Sequence, residues 1–391
     1  MNLSPESKVL LYCARKTMNE ATKSKLKETL NNNLDWNYIM ESASIHGISP
    51  LLYHNLSKTE NNIPKEVMKK LKKHYYANFA RNMFQYEELS KVLNSFKDAG
   101  IEVIVLKGAA LAETVYKNIG LRSFSDIDIL IKREDLQRSK KKMSELGYTL
   151  DEKVTPEEYN EKFGCDLFYF KQKNIIELHW NIARNTGIGK PVKIEIDKMW
   201  NNARSANIAS VDVLVLSPED LLLHSCIHLP KHRYERLIWF CDIYEIIKSY
   251  DINWNSVIEI AKKYRVKTLV YYGLYFTDKL LGPTIPEKVL KELKPPYFQR
   301  LLFIKLLENV LSNKRNVWYR FHSFTRFLLI DRTQDKLKYL LEYFFPPRGV
   351  LARSYSVPNS KKIYFYYFIH LKYLGFKGIK LLASPIVKPK P

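Results

Sequence analysis

Residues 101–131 read IEVIVLKGAALAETVYKNIGLRSFSDIDILI, and the reading of this stretch decides the fold. Positions 101–106 are β-branched and almost wholly apolar, the composition of a buried strand. Gly108 follows at once, and 109–116 reads as a helix. Positions 126–131 (DIDILI) form a second strand, on which Asp126, Asp128 and Leu130 share one face because alternate strand residues point the same way. Unpaired, two such acids repel and one is pushed toward its protonated form, a conflict that a divalent cation removes. The apolar residues at 127 and 129–131 place the strand inside a sheet, where paired acids are costly unless they serve a ligand.

Working outward, 136–146 reads as a basic amphipathic helix that ends at Gly147. Positions 167–170 and 175–180 are two further strands around a Lys-Gln-Lys-Asn turn, and 211–216 is one more. Glu177, between Ile176 and Leu178, is the natural third carboxylate, completing a metal site or acting as general base toward a hydroxyl. His179 shares its face; it either meets substrate or packs as a satisfied core histidine. The phosphate end is Lys107-Gly108-Ala109: a strand running through glycine into a helix start offers free N–H groups and positive dipole to an anion. Lys107 adds a point charge, and Arg122 and Ser125 lie close by in sequence.

The flanks are helical. In 1–95, Leu51, Leu52, Leu56, Val67, Leu71, Tyr75 and Phe79 recur near helical spacing, with turns at Asn31–Asn33 and at 61–64. Ser217-Pro218-Glu219-Asp220 is a helix start, with a capping hydroxyl, proline in the first turn and acids at the positive end of the dipole. Helical patterns run on to about Phe345, and Pro346-Pro347-Arg348-Gly349 interrupts them. The expected division is therefore a helical cap (1–95), an α/β core (96–216), a helical substrate domain (217–345) and a basic aromatic tail (346–391). His224, His228 and His232 recur every four residues near Cys226, which on one helix face is a zinc pattern, although Pro230 interrupts it. Helix packing or substrate contact is the other reading. Arg233, Arg236 and Asp242 fall in the same segment and can line a cleft.

Charge narrows the partners. The chain carries 63 Lys and Arg against 41 Asp and Glu, a formal net charge of +22, and no acid follows Glu342. Such a field draws polyanions: nucleoside triphosphates, nucleic acid or an acidic lipid surface. The tail, SKKIYFYYFIHLKYLGFKGIKLL, reads either as a helix with its aromatics packed inward or as a basic aromatic face for an anionic membrane or RNA. Four isolated cysteines, no signal-like opening and no apolar run of membrane length lead us to expect a cytoplasmic protein. No P-loop glycine pattern is present, which argues against transfer of a γ-phosphate.

Taken together, VLKGAALAETVYKNIGLRSFSDIDILI, LGYTL and IIELHWNI resemble the DNA polymerase β-type nucleotidyltransferase superfamily. More narrowly, with DWNYIMESASIHGISPLLYHNL and LSPEDLLLHSCIHLPKHRYERLIWFCDIYEII, they resemble the family of uncharacterised (type 5) nucleotidyltransferases over most of 35–250. The resemblance implies an α+β fold, a mixed sheet with helices flanked by N-terminal and C-terminal helical domains. It implies Gly108 as the signature glycine and Asp126, Asp128 and Glu177 as carboxylates for Mg²⁺ (or Mn²⁺). It further implies an NTP as substrate, with NMP passing to a hydroxyl-bearing acceptor: a sugar, a small metabolite, a protein side chain or an RNA end. His179, His228, His232 and Arg236 are the candidate substrate contacts. Two departures are visible: Ala109 replaces the usual small hydroxylated residue or glycine, and the gap from Gly108 to Asp126 is long. The alternatives are an inactive nucleotide- or RNA-binding protein and a membrane-surface assembly protein.

Overall fold

The computed structural model describes residues 3–59, 63–151, 164–183, 190–307, 326–355 and 363–383. Their contacts divide the chain into two compact units, residues 1–314 and 315–391.

The first unit opens with helices α1 (Pro5–Cys13), α2 (Glu20–Leu30), α3 (Trp36–Ile45), α4 (Ser49–Leu56) and the long α5 (Lys65–Asp98). Short polar caps start the first three: the side chains of Ser4, Asn19 and Asp35 each accept a backbone N–H of the first turn. The turn expected at Asn31–Asn33 follows α2, while Asn61 and Asn62 lie outside the described residues.

A seven-stranded mixed sheet follows, in the order β3-β4-β5-β2-β1-β7-β6. Its strands are β1 (Ile104–Leu106), β2 (Ile127–Leu130), β3 (Thr149–Leu150), β4 (Asp166–Lys171), β5 (Asn174–His179), β6 (Arg204–Ile208) and β7 (Val211–Val215). Helix α6 (Lys107–Thr114) starts directly after β1, α7 (Leu136–Glu145) lies between β2 and β3, and α8 (Ile196–Asn201) precedes β6. β2 is antiparallel to β1 and parallel to β5, so β2 sits in the interior, as its apolar residues require. Strands β3 and β6 were not expected: β3 is two residues long, and RSANI in β6 mixes polar and apolar positions without a clear face.

The sheet has two unlike faces. Val105, Ile127, Ile129, Ile176 and Leu178 join Leu89, Val92, Leu93 and Phe96 of α5 and Met143 of α7 in one apolar core. Alternation then turns Asp128, Glu177 and His179 to the opposite face, where all three are buried.

That face looks toward the helices after β7: α9 (Pro218–His228), α10 (Leu237–Ser249), α11 (Trp254–Lys263), α12 (Lys267–Leu281), α13 (Glu287–Leu293) and α14 (Tyr297–Leu307). α9 begins as its sequence dictates, with Ser217 Oγ accepting from Asp220 N at 3.2 Å and Pro218 in the first turn. α9, α10 and α12 pack mutually, and α1 reaches α12. The unit is thus α+β, a mixed sheet with helices on both its N-terminal and C-terminal sides in sequence. All four cysteines are buried and free.

The second unit holds α15 (Thr333–Phe344), α16 (Arg348–Ser354) and α17 (Ile363–Ala383). Pro346 and Pro347 separate α15 from α16, and the helix resumes at Arg348. The aromatics of the tail divide between the two expected readings. Tyr366 and Tyr367 pack with Leu351, Ala352 and Ile363, and Tyr367 donates to the Pro346 carbonyl at 2.6 Å. Tyr364, Phe365, Phe368, Leu371 and Phe376 instead form an exposed stripe at helical spacing, Phe365 and Phe368 being 65% and 66% exposed. Among the described residues no helix is long and apolar enough to cross a membrane.

Candidate active site

Register builds the site. In the parallel ladder Asp128 lies beside Glu177 and Leu130 beside His179, so acids from two strands meet without any loop holding them. Leu106, the last residue of β1, pairs with Asp128 across the antiparallel ladder. Lys107 comes next, at φ 46°, a left-handed conformation costly for a side-chain-bearing residue. There the chain passes from strand to helix with no linker, and the Lys107 ammonium bonds Asp128 Oδ1. It also lies 3.9 Å from Glu177 Oε2.

His179 completes the cluster from below. Its Nε2 is 2.8 Å from Asp128 Oδ1 and 3.3 Å from Glu177 Oε2. Glu177 Oε2 is buried and has no hydrogen bond of good geometry, while Lys231 Nζ stands 3.7 Å away. Asp126 sits just ahead of β2, partly exposed, with Ser125 Oγ donating to its Oδ1 at 3.1 Å.

These contacts separate the acids electrostatically. Burial would raise Asp128, but Lys107 and His179 hold its carboxyl far below the usual range. Burial opposes ionisation of Glu177 too, but the neighbouring His179 and Lys107 together outweigh it and lower the carboxyl. Asp126 goes the other way, pushed up to about 6 by burial and then by the negative charges of Asp128 and Glu177. A raised carboxyl stabilises the fold below its unfolded-state value and loses that contribution as pH rises through the folded one. For the metal-free protein, Asp126→Asn is therefore expected to raise stability at pH 7.5 by about 1–2 kcal/mol and to change it little at pH 4. Paired thermal melts at the two pH values check this; equal effects at both would refute it.

Above the acids opens a cavity of about 750 Å³. Lys107, Gly108, Ser125, Asp126, Asp128 and Glu177 line its sheet side, and His228, Lys231, His232, Arg236 and Trp239 its helical side. Gly47, Ser49, Asn78 and Arg81 of the N-terminal helices close a third wall. The sequence reading did not anticipate Gly47, Arg81, Lys231 or Trp239, which carry no motif and meet the site only through long-range packing.

Several expected residues take positions different from those their spacing suggested. Arg122 lines the cavity, but its guanidinium is committed to Asp242 through two 2.7 Å bonds, and Tyr116 donates to the same carboxylate at 3.0 Å. Ala109 is buried away from the cavity, its carbonyl taking the Tyr86 hydroxyl at 2.6 Å. His179 lies behind the carboxylates and does not line the cavity, so it positions them. Gly108 is required for a reason other than ligand approach: a Cβ there would stand 2.6 Å from the Phe124 Cβ.

α9 ends at His228, and Pro230 falls in the single 3₁₀ turn that follows, Leu229–His232. The His228 and His232 rings are 4.4 Å apart, and His232 lies 4.7 Å from Trp239. Burial and nearby lysines keep these histidines neutral, His232 being lowered to about 4. Among the described residues, the histidine series is not a set whose ligand atoms converge; Asp128, Glu177 and His179 do, within 4.8 Å. The series is an aromatic wall rather than a zinc site.

Acids on two adjacent strands, a strand-to-helix turn beside them and a basic cavity above them are the arrangement of a nucleotidyltransferase. The chain matches the family described as uncharacterised nucleotidyltransferase over residues 32–282, well over half its length, and it belongs to that family. No curated protein matches it.

Proposed function

We propose that the protein transfers NMP from a nucleoside triphosphate to a hydroxyl-bearing acceptor and releases pyrophosphate. The observation that carries this reading is the pairing of Asp128 with Glu177 on neighbouring strands at the floor of the cavity, with Asp126 at its edge. An acceptor oxygen attacks the α-phosphorus, the bond to the bridging oxygen of the β-phosphate breaks, and the hydroxyl proton passes to a carboxylate of the cluster. Glu177 is placed to take it, because one of its oxygens is buried without a hydrogen bond.

The donor set fits a hard divalent cation. Lys107 and His179 compensate Asp128, while Asp126 remains uncompensated enough to hold a proton up to about 6, and the oxygen of Glu177 is unsatisfied. Asp126, Asp128 and Glu177 are the residues that hold Mg²⁺ or Mn²⁺, which when bound supplies neutralisation of triphosphate charge. Lys107 and Lys231 bring positive charge to the cavity from two walls. The neutral histidines and Trp239 offer aromatic contact for a base or an acceptor ring.

Isothermal titration of each NTP with Mg²⁺, followed by a pyrophosphate-release assay with candidate acceptors, tests the proposal. Magnesium-dependent binding is expected for at least one NTP. Binding to none of them overturns the reading, and binding without turnover on any acceptor class favours a nucleotide-binding protein.

A second, compatible reading concerns the C-terminal unit. The exposed aromatic stripe of α17 is joined by Lys372, and the chain carries no acid beyond Glu342. Aromatic side chains on one helix face with cationic neighbours suit the headgroup region of an anionic bilayer. In liposome flotation, the protein is expected to rise with anionic vesicles and not with zwitterionic ones. The double change Phe365→Glu and Phe368→Glu should abolish flotation; equal flotation of this variant would rule the surface out.

A further inference from the structure

Arg236 stands apart from the other buried arginine of the cavity wall. Arg122 uses its guanidinium on Asp242 and on the Ser123 carbonyl, and Asp242 is also taken by Tyr116. Arg236, by contrast, makes no ion pair among the described residues, and its buried Nε has no hydrogen-bond partner. Its pKa is lowered by burial and then by the charge of Arg122, while Asp126 acts in the opposite sense. A half-buried cation with no carboxylate of its own is costly unless a ligand anion compensates it.

The fold nevertheless builds a seat for it. Gly47, at φ 71°, lies directly under the guanidinium: a Cβ at that position would stand 2.4 Å from Arg236 Nη2. Glycine is favoured there by the left-handed backbone, and a Cβ would push the guanidinium from its present place. The seat is tied on both sides, since Ser123 Oγ donates to the Gly47 carbonyl at 3.0 Å and Ile238 N to the His46 carbonyl at 3.1 Å. Trp239 lies against it as well, its ring centroid 5.7 Å from the guanidinium carbon. Arg81, from α5, lines the same cavity at its exposed edge.

We propose that Arg236, held between Gly47 and Trp239, is a phosphate-receiving group of the cavity and binds a phosphate of the nucleotide or of the acceptor. A planar fork with free N–H donors suits a phosphate oxygen pair. This deepens the nucleotidyl-transfer reading and rests on it for the identity of the phosphate. The three walls then divide the work: the sheet holds the acids, the helical side the aromatic surface, and Gly47 of the N-terminal cap positions the anion receptor.

The test is titration of NTP with Mg²⁺, of inorganic pyrophosphate with Mg²⁺, and of inorganic phosphate into the protein with and without NTP. It compares wild type with Arg236→Gln, Arg236→Lys and Gly47→Ala, each checked for folding by its melt. If the nucleotide supplies the phosphate, NTP and pyrophosphate affinity falls by tenfold or more in Arg236→Gln, with a smaller loss in Arg236→Lys. If the acceptor supplies it, NTP affinity holds while inorganic phosphate binding is lost. Gly47→Ala reproduces the Arg236→Gln effect in either case, since it displaces the guanidinium. Wild-type affinity of Arg236→Gln for all three probes overturns the subsite and leaves the nucleotidyl-transfer reading intact. A wild type that binds no NTP but binds phosphate through Arg236 supports the subsite and overturns that reading.

Discussion

Asp128→Asn is expected to abolish magnesium-dependent nucleotide binding and to destabilise the fold by about 2–4 kcal/mol. The carboxylate is almost fully buried and faces two cations, the Lys107 ammonium and the His179 ring. Removing its charge leaves Lys107, itself only 15% exposed, with the more distant Glu177 at 3.9 Å. Turnover should fall by at least about a thousandfold, because the proposed metal ligand and the alignment of the acid cluster are lost together. Chemical denaturation and titration calorimetry read the two effects separately. The double variant Asp128→Asn with Lys107→Met should recover much of the stability and none of the nucleotide binding, since it removes the stranded cation but restores no metal ligand. Unchanged magnesium-dependent binding in Asp128→Asn would remove this aspartate from the metal site.

The second large effect is expected at Arg122. Its guanidinium and the Asp242 carboxylate are 7% and 6% exposed, joined by two 2.7 Å bonds, and they lie 120 residues apart in the chain. The pair ties the segment that leads into β2 to helix α10, so it holds the sheet against the helical wall of the cavity. Arg122→Met is expected to cost about 3–5 kcal/mol, because it strands a buried carboxylate that only Tyr116 still satisfies. Arg122→Met combined with Asp242→Leu should return most of that loss, apolar groups of similar volume tolerating the site well. Equilibrium unfolding of the single and double variants decides it; a loss in the double as large as in the single would mean that the pair is not the source.

Much of the core is legible in the chain because its signals are local. Apolar runs of a few residues marked β1, β2, β5 and β7, and the change to helical spacing after Gly108 marked α6. Ser217 and Pro218 announced α9 by the chemistry of its first turn alone. The alternation Asp126-Ile127-Asp128 placed two acids on one side of a strand without any knowledge of its neighbours, and the same rule put Glu177 and His179 on one side of theirs. β6 was missed because its side chains do not alternate cleanly and its place is set by antiparallel pairing with β7. β3 is too short to leave a pattern.

What the sequence by itself determined, then, is the set of acids, their spacing and the strand-turn-helix that carries them, because backbone periodicity is a property of neighbouring residues. Who meets whom was decided only by tertiary structure. His179 came to bond Asp128 because parallel register put its strand beside that of the aspartate. Arg122 went to Asp242 rather than to the open cavity, and Arg236 came to rest on Gly47, nearly two hundred residues earlier in the chain. Such pairings depend on how elements distant in sequence pack, and the desolvation that gives a buried charge its partner acts only once that packing is made.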